Sequence, residues 1–583
     1  MKTNKLLSIV LLTALFTGAC KQNPIEPVAP EPPVVETPSK GDADFSKFVA
    51  LGDSYVAGAQ GGTLFDASQA SSLPKILADQ FATVGGGVFN QPDVAHPNGL
   101  NFIIFGGSAG TVSRGRYILF DADGDVDPDG AGCATSRSAA PVSAGSPAAA
   151  AVCPSSSTTP AIPAPYNTNQ TLTELLTFTG DRSALNNFGV PGTRVYHTLT
   201  PIYGNPPGGP TGGSPWFFRF NSAPGTSTMI SDASTKGHKF FMLTLGIQDI
   251  LSYAGAGAAG NPNPPADPTM IGGADMTPQL VFDGAYDANL GALLTDPTAK
   301  GVVTTIPDFT TLPLFFTVTY NNIEFKSSNC NDAALIGGLN SVFGSFNSTL
   351  DLILAGGVGP VPPGLTAEDI AKRKVVFAYG KNPILINDET LIDLGPQLGA
   401  ASPIFAQFGK LRPATAADMI LLNAGSILGV CAAAPGPGNP VQAPPTGWPA
   451  PLPWLYGLGA PLKDQYVILP SEKLEIQTRT DAFNAHIKAA AATFPGRVAV
   501  ADVDAAYKKL LVDKIYSADG VTLTPSFAPP GGMFSEDGVH PNSRGYAFTA
   551  NVIIDAINTT FNAKIPKANL ANYSGTAFPV KGQ

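Results

Sequence analysis

Five short apolar runs constrain this chain more than anything else in it: "KFVALGDS", "KFFMLTLGIQD", "KGVVTTIPD", "KVVFAYG" and "RVAVADVD". Each is rich in β-branched or aromatic residues, shows no polar alternation and ends at Gly or a turn residue. A strand with one wet face alternates, whereas a strand covered on both faces does not, so these runs predict parallel strands buried between helices. Helical patterns lie between or after them. "SEKLEIQTRTDAFNAHIKAAAATF" is closed by "PGR", and "SRGYAFTANVIIDAINTTFN" places Phe548, Val552, Ala556 and Ile557 on one face. Strands alternating with helices predict a three-layer α/β/α sandwich around a central parallel sheet.

The chain is longer than such a sandwich needs. With 583 residues, 63 Gly and 55 Pro, but only 13% charged residues, it must carry long uncharged loops. Those loops are expected near 120–168, 255–280 and 330–465, the last holding a Pro-rich stretch at 432–455 with Trp448 and Trp454. That stretch is either an apolar cap over a site or a buried packing segment. The net charge of −10 lacks the basic face that nucleic-acid binding requires, so no nucleic-acid partner is expected.

The amino terminus reads as an export signal. "MKTNK" is basic, "LLSIVLLTALF" is apolar but short for a membrane span, and "TGAC" offers small residues before Cys20. This resembles a bacterial lipoprotein signal over residues 1–19, with Cys20 as the acylated first residue of the mature chain. Thr17 stands where such signals usually carry Leu. The implied location is exported and lipid-anchored, at the outer membrane of a Gram-negative cell. Residues 20–44 are Pro-rich and acidic, a tether. The folded domain is expected over 45–565, with a tail at 566–583.

Cys133, Cys153, Cys330 and Cys431 form an even set in an exported chain, so disulfides are expected. Sequence proximity favours 133 with 153 and 330 with 431, among three possible pairings. No spacing suggests zinc. Asp125, Asp127 and Asp129 have the D-x-D-x-D-G opening of a calcium loop, but Ser136 replaces the bidentate Glu and an acidic solvated loop is the preferred reading.

Ser54 follows the first apolar run in "LGDSYVAG", where a chain leaves the carboxyl end of a strand and where open α/β sheets bind ligands. A strand-end serine is often only a helix cap. Three further stretches change its meaning: "NNFGVPGTRV" with Gly192, "LTLGIQDI" with Gln248, and "FSEDGVHPN" with Asp537 and His540. In this order they resemble the four blocks of the SGNH, or GDSL, hydrolase family, in a lipoprotein branch like those of Bacteroidota, and the likeness runs from Phe45 to about Phe561.

The resemblance implies a flavodoxin-like sandwich that cleaves carboxylic esters through an acyl-serine intermediate, with no cofactor. Ser54 would be the nucleophile, His540 the base and Asp537 its orienting carboxylate, a division of labour that the chemistry of a weakly acidic hydroxyl demands. Ser54 and Gly192 amides match the family's oxyanion hole, but Gln248 stands where the family has Asn. The implied substrates are lipid, short-chain or acetyl-glycan esters. The alternative is a catalytically lapsed lipoprotein that binds an acyl or glycan ligand. Asp93 and His96 in "PDVAHPNG" repeat the Asp-x-x-His pattern but precede the Gly192 block, which predicts a loop role. His197, His238 and His486 are expected to be structural or surface groups, and Asp249 and Asp53 to tie local turns.

Overall fold

The computed structural model describes residues 37–101, 115–121, 140–143, 178–206, 213–329, 331–433 and 441–581. Cys20, Cys133, Cys153, Cys330, the acidic stretch 125–129 and most of the 120–168 loop lie outside the described residues. From Pro38 onward the chain is one compact unit.

Its centre is a five-stranded parallel sheet. The strands are β1 (Phe48–Gly52), β2 (Asn187–Gly189), β3 (Phe240–Thr244), β4 (Lys300–Thr304) and β5 (Val498–Ala501). Their spatial order is 2-1-3-4-5, every neighbouring pair parallel. β1 and β3 are buried at every residue, which explains their uninterrupted apolar character. Because the order reverses beside β1, the loops after β1 and β3 diverge and leave a crevice at their carboxyl ends.

Helices cover the sheet in two packs. On one side α1 (Ser54–Ala57) leads to α2 (Leu73–Ala82), which packs with α9 (Ser543–Phe561). The other pack includes α3 (Met229–Ser234), α4 (Ile247–Ala254), α5 (Gln279–Leu293) and α7 (Pro470–Ala492). α8 (Val503–Asp513) lies against α9. The observed architecture is thus an α/β fold with a central parallel sheet and helices on it.

Two of the expected elements differ. "KVVFAYG" is not a strand: Val375 and Phe377 are buried, but their amides donate to the side chains of Asn347 and Asn340 on α6 (Asp332–Leu354), at 2.9 and 2.8 Å. Two asparagines do there what a neighbouring strand does elsewhere. The fifth strand is instead "NFG" of the Gly192 block, three residues too few for any periodicity to show.

The 330–465 insertion is a lobe with a core of its own, built from residues between Val318 and Leu469. Trp448 and Trp454 meet edge to face at 4.6 Å and Trp454 stacks on Phe408, so both tryptophans pack into the core of this lobe. Cys431 is disulfide-bonded. At the carboxyl terminus, the stretch expected as a tail docks on the domain: Ala568 and Leu570 are buried, and Thr576 Oγ1 donates to Phe534 O at 2.8 Å. Similarly Ala43, placed in the tether, is buried, and Ser39 N donates to Lys564 O. No helix among the described residues is long and apolar enough to cross a membrane.

Candidate active site

Ser54 opens α1 directly after β1. Gly52 permits this tight exit, since a Cβ there would lie 2.2 Å from Thr244 O and 2.4 Å from Val56 Cγ2. Asp53 caps the short helix, its Oδ1 accepting Tyr55 N at 3.0 Å. His540 and Asp537 come from the turn that precedes α9, and Asn542 caps that helix by accepting Gly545 N.

These elements bring three side chains into one line. His540 Nε2 lies 2.8 Å from Ser54 Oγ, and His540 Nδ1 lies 2.7 Å from Asp537 Oδ2. With the Nδ1 proton held by the carboxylate, Nε2 is left to accept the serine hydroxyl. All three residues are under 5% exposed, so the relay is shielded from bulk water.

Burial alone would push the Asp537 carboxyl up. The neighbouring His540 and the hydrogen bonds it receives outweigh burial and hold it below the usual carboxylate range. Its donors are His540 Nδ1, the main-chain amides of Val539 and His540 at 2.8 Å each, and Gly62 N at 2.7 Å. An anionic Asp537 is what stabilises an imidazolium.

The loop carrying the pair is fastened on several sides. Tyr55 OH donates to Val539 O at 2.7 Å, Gly61 N donates to Ser535 Oγ at 3.0 Å, and Leu314 N donates to Gly538 O at 2.9 Å. Sequence spacing does not mark Gly62 and Tyr55 as supports of the acid and base. A Gly-Gly pair just after the nucleophile block was the available signal for the first, and the second carries none, because a phenol bonding a carbonyl leaves no motif.

Two main-chain amides are free to receive an oxyanion. Neither Ser54 N nor Gly192 N has an acceptor among the described residues. Gly192 has φ of +78°, and no atom lies within 4 Å of where its Cβ would be, so the turn faces open space. Asp249 braces this loop from the neighbouring block, its Oδ2 accepting Val195 N at 2.9 Å. Its role is thus between blocks, where a purely local turn had been expected.

Gln248 is turned elsewhere. Its Nε2 donates to Ser252 Oγ, one turn along α4, at 2.8 Å, and Ser252 also receives Arg194 Nε at 3.2 Å. Its amide group is therefore engaged on its own helix.

Two buried acids flank the relay without joining it. Asp53 is fully buried with Oδ2 unpartnered, and burial pushes its carboxyl up to about 7. Burial likewise pushes Glu536, next to Asp537, up to about 7.

The remaining histidines lie apart from this line. His96 Nδ1 accepts Asn98 N, while Asp93 offers its carbonyl to Arg219. His197 stacks on Tyr203 at 4.5 Å and burial pushes it down to about 3, His238 Nε2 meets Leu293 O, and His486 sits between Asp283 and Asp287. A cavity lined by Lys47, Val88 and Lys236 lies at the amino end of β1, away from Ser54.

Compared with known proteins, the chain matches no family model, no curated protein and no solved structure. The reading of this site therefore rests on its geometry and on the motifs that form it.

Proposed function

We propose that this protein is a serine hydrolase of the SGNH type that cleaves carboxylic esters through an acyl-serine intermediate. The observation that carries the reading is the hydrogen-bonded line Ser54 Oγ–His540 Nε2, His540 Nδ1–Asp537 Oδ2, at 2.8 and 2.7 Å, set at the carboxyl end of a parallel strand. His540 takes the Ser54 proton as Oγ attacks the ester carbonyl, then returns it to the leaving alkoxide. A water activated by the same imidazole releases the acid and restores Ser54. The amides of Ser54 and Gly192 receive the oxyanion, and Asp537 balances the transient imidazolium. The substrate class is lipid, short-chain acyl or acetyl-glycan esters, and the proposed location is at a membrane through an acylated Cys20.

Turnover of p-nitrophenyl esters of increasing chain length, alongside acetylated xylan, tests the reading. Ser54→Ala should lower kcat by at least ~10³-fold, and Asp537→Asn by ~10⁴-fold with KM little changed. A wild-type protein that neither turns over these esters nor takes a fluorophosphonate label at Ser54 would overturn it.

The engagement of Gln248 with Ser252 favours a second reading, a fold that binds an acyl or glycan ligand without turnover. An oxyanion donor that acts in catalysis costs about 10²- to 10³-fold when removed. Because Gln248 is held on its own helix, Gln248→Ala should cost less than ~10-fold, the two main-chain amides carrying the oxyanion. A loss of ~10²-fold or more would mean that the side chain swings into the hole.

A further inference from the structure

The Gly192 loop is held more completely than a surface turn requires. From Val190 to Val195 every main-chain N–H has an acceptor among the described residues except that of Gly192, Pro191 having none to give. Val190 N donates to Gly52 O at 3.1 Å and Thr193 N to Val190 O at 3.2 Å. Arg194 N donates to His197 Nδ1 at 3.1 Å and Val195 N to Asp249 Oδ2 at 2.9 Å. The one unengaged amide of the run therefore belongs to Gly192, which is exposed.

Two of these acceptors are side chains from different elements. Asp249 reaches in from α4, and His197 folds back from the 3-10 turn His197–Leu199. The Val195 carbonyl is taken too, by Thr198 Oγ1 at 2.7 Å and by Asn289 Nδ2 of α5 at 3.2 Å. Asn289 is wholly buried on the α5 face that also buries Phe282, Ala285 and Leu293. A buried amide in such a setting is costly unless it bonds, and the loop supplies its partner.

His197 is fixed before it holds anything. Its ring stacks on Tyr203, centroids 4.5 Å apart and planes 13° apart, and Tyr203 OH meets Thr193 Oγ1 at 2.9 Å. The imidazole is thus anchored through Thr193 and itself holds Arg194, the two residues that follow Gly192. To accept at Nδ1 it must be neutral, with its proton on Nε2. Burial, with the Arg194 charge behind it, pushes the imidazole down to about 3, against a hydrogen bond with the Gly192 main chain that favours the cation. The ring therefore stays an acceptor throughout the neutral range.

We propose that His197 is a positioning residue for the reaction, fixing the Arg194 amide and so the direction of the Gly192 N–H that receives the oxyanion. Asn289 supports the same loop from α5 through the Val195 carbonyl. This role presupposes the acyl-serine reading of the site. Neither side chain touches the ester; both act on where the donor points. An oxyanion donor works because it is aimed before charge develops, and a misplacement of about 1 Å can cost ~10²-fold.

The test compares two His197 variants of the full chain by steady-state hydrolysis of p-nitrophenyl butyrate and by hydrogen exchange, read by mass spectrometry over residues 190–199. His197→Phe keeps an aromatic ring for Tyr203 and removes the acceptor, whereas His197→Asn gives up the ring and keeps an oxygen that can take the place of Nδ1. In His197→Phe, kcat should fall by ~10- to 10²-fold with KM within ~3-fold, and exchange over the segment should quicken by ~10-fold. His197→Asn should recover most of both. A role confined to packing gives the opposite order, Phe being tolerated better than Asn. Should His197→Phe fail to fold, Asn289→Leu, which keeps the volume and apolar face of α5 and removes the donor to Val195 O, carries the same test with the same signs. A wild type without turnover would end the esterase reading, and the exchange measurement alone would then decide whether His197 holds the loop. Unchanged kcat or unchanged exchange in His197→Phe, or a His197→Asn no better than His197→Phe, would overturn the inference.

Discussion

At the scale of single residues the site joins two kinds of carboxyl group, and their contrast makes a prediction. Asp537 collects four hydrogen bonds and stays anionic, whereas Asp53, next to the nucleophile, is wholly buried with one oxygen unpartnered and a carboxyl pushed up to about 7. An unfolded Asp titrates near 3.9. Between that value and about 7 the folded state holds a proton that the unfolded state has lost, so the contribution of Asp53 to stability is present below the lower value and disappears as pH rises. Asp53→Asn keeps the oxygen that caps Tyr55 N and cannot ionise. Its denaturation midpoint should therefore fall less than that of the wild type between pH 5 and pH 8, measured by urea unfolding at both. Equal falls would mean that Asp53 is already ionised in the folded protein at pH 5. The same contrast shows what was legible beforehand. Ser54, Asp537 and His540 were legible because each sits in a short block of fixed spacing. The Gly62 amide on Asp537 and the Tyr55 hydroxyl on Val539 were not, because contacts with main-chain groups leave little trace in residue identity.

At the scale of elements, legibility followed the solvent. β1, β3, β4 and β5 were readable because strands covered on both faces need unbroken apolar runs, and β2 was not, because three residues carry no period. "KVVFAYG" had the apolar content of a strand, and only the tertiary structure shows that α6 satisfies its amides. Asn340 and Asn347 each accept one amide and donate to the carbonyl of the same residue, Phe377 and Val375 respectively. Asn347→Ala would leave both polar groups of Val375 without partners beside a buried side chain. A cost of about 1–3 kcal/mol is expected, read as a lower unfolding midpoint of the lobe. Asn347→Asp should cost less than Asn347→Ala, since it keeps the acceptor. Equal losses in the two variants would count against the amide bond as the cause.

At the scale of the whole molecule, the described residues form two hydrophobic cores, one around the sheet and one in the inserted lobe. They meet near the site, where Leu422 packs against both and approaches Gly538. The lobe is organised around a buried charge cluster: Arg412, 8% exposed at its side chain, binds Asp388 through Nε at 2.5 Å and Asp418 through Nη2 at 2.7 Å. Arg412→Met would leave two buried carboxylates without their counter-charge, which typically costs about 3–5 kcal/mol. Because the damage lies in one core, the lobe should unfold before the sheet. The tryptophans separate the two events: Trp448 and Trp454 report the lobe, and Trp216 the main core. In Arg412→Met the fluorescence transition should move below the far-ultraviolet circular dichroism transition, which is dominated by the helices around the sheet. The pH dependence has a definite sign. Although burial opposes it, hydrogen bonds from Thr390 and Arg412 hold Asp388 below its ordinary value, so its stabilising effect is present above the unfolded value and is lost as pH falls through the folded one. Acid should therefore separate the two transitions in the wild type as well, the lobe going first below about pH 4. Coincident transitions in Arg412→Met at every pH would mean that the two cores fold as one unit, and that the lobe cannot loosen without carrying the Ser54 relay with it.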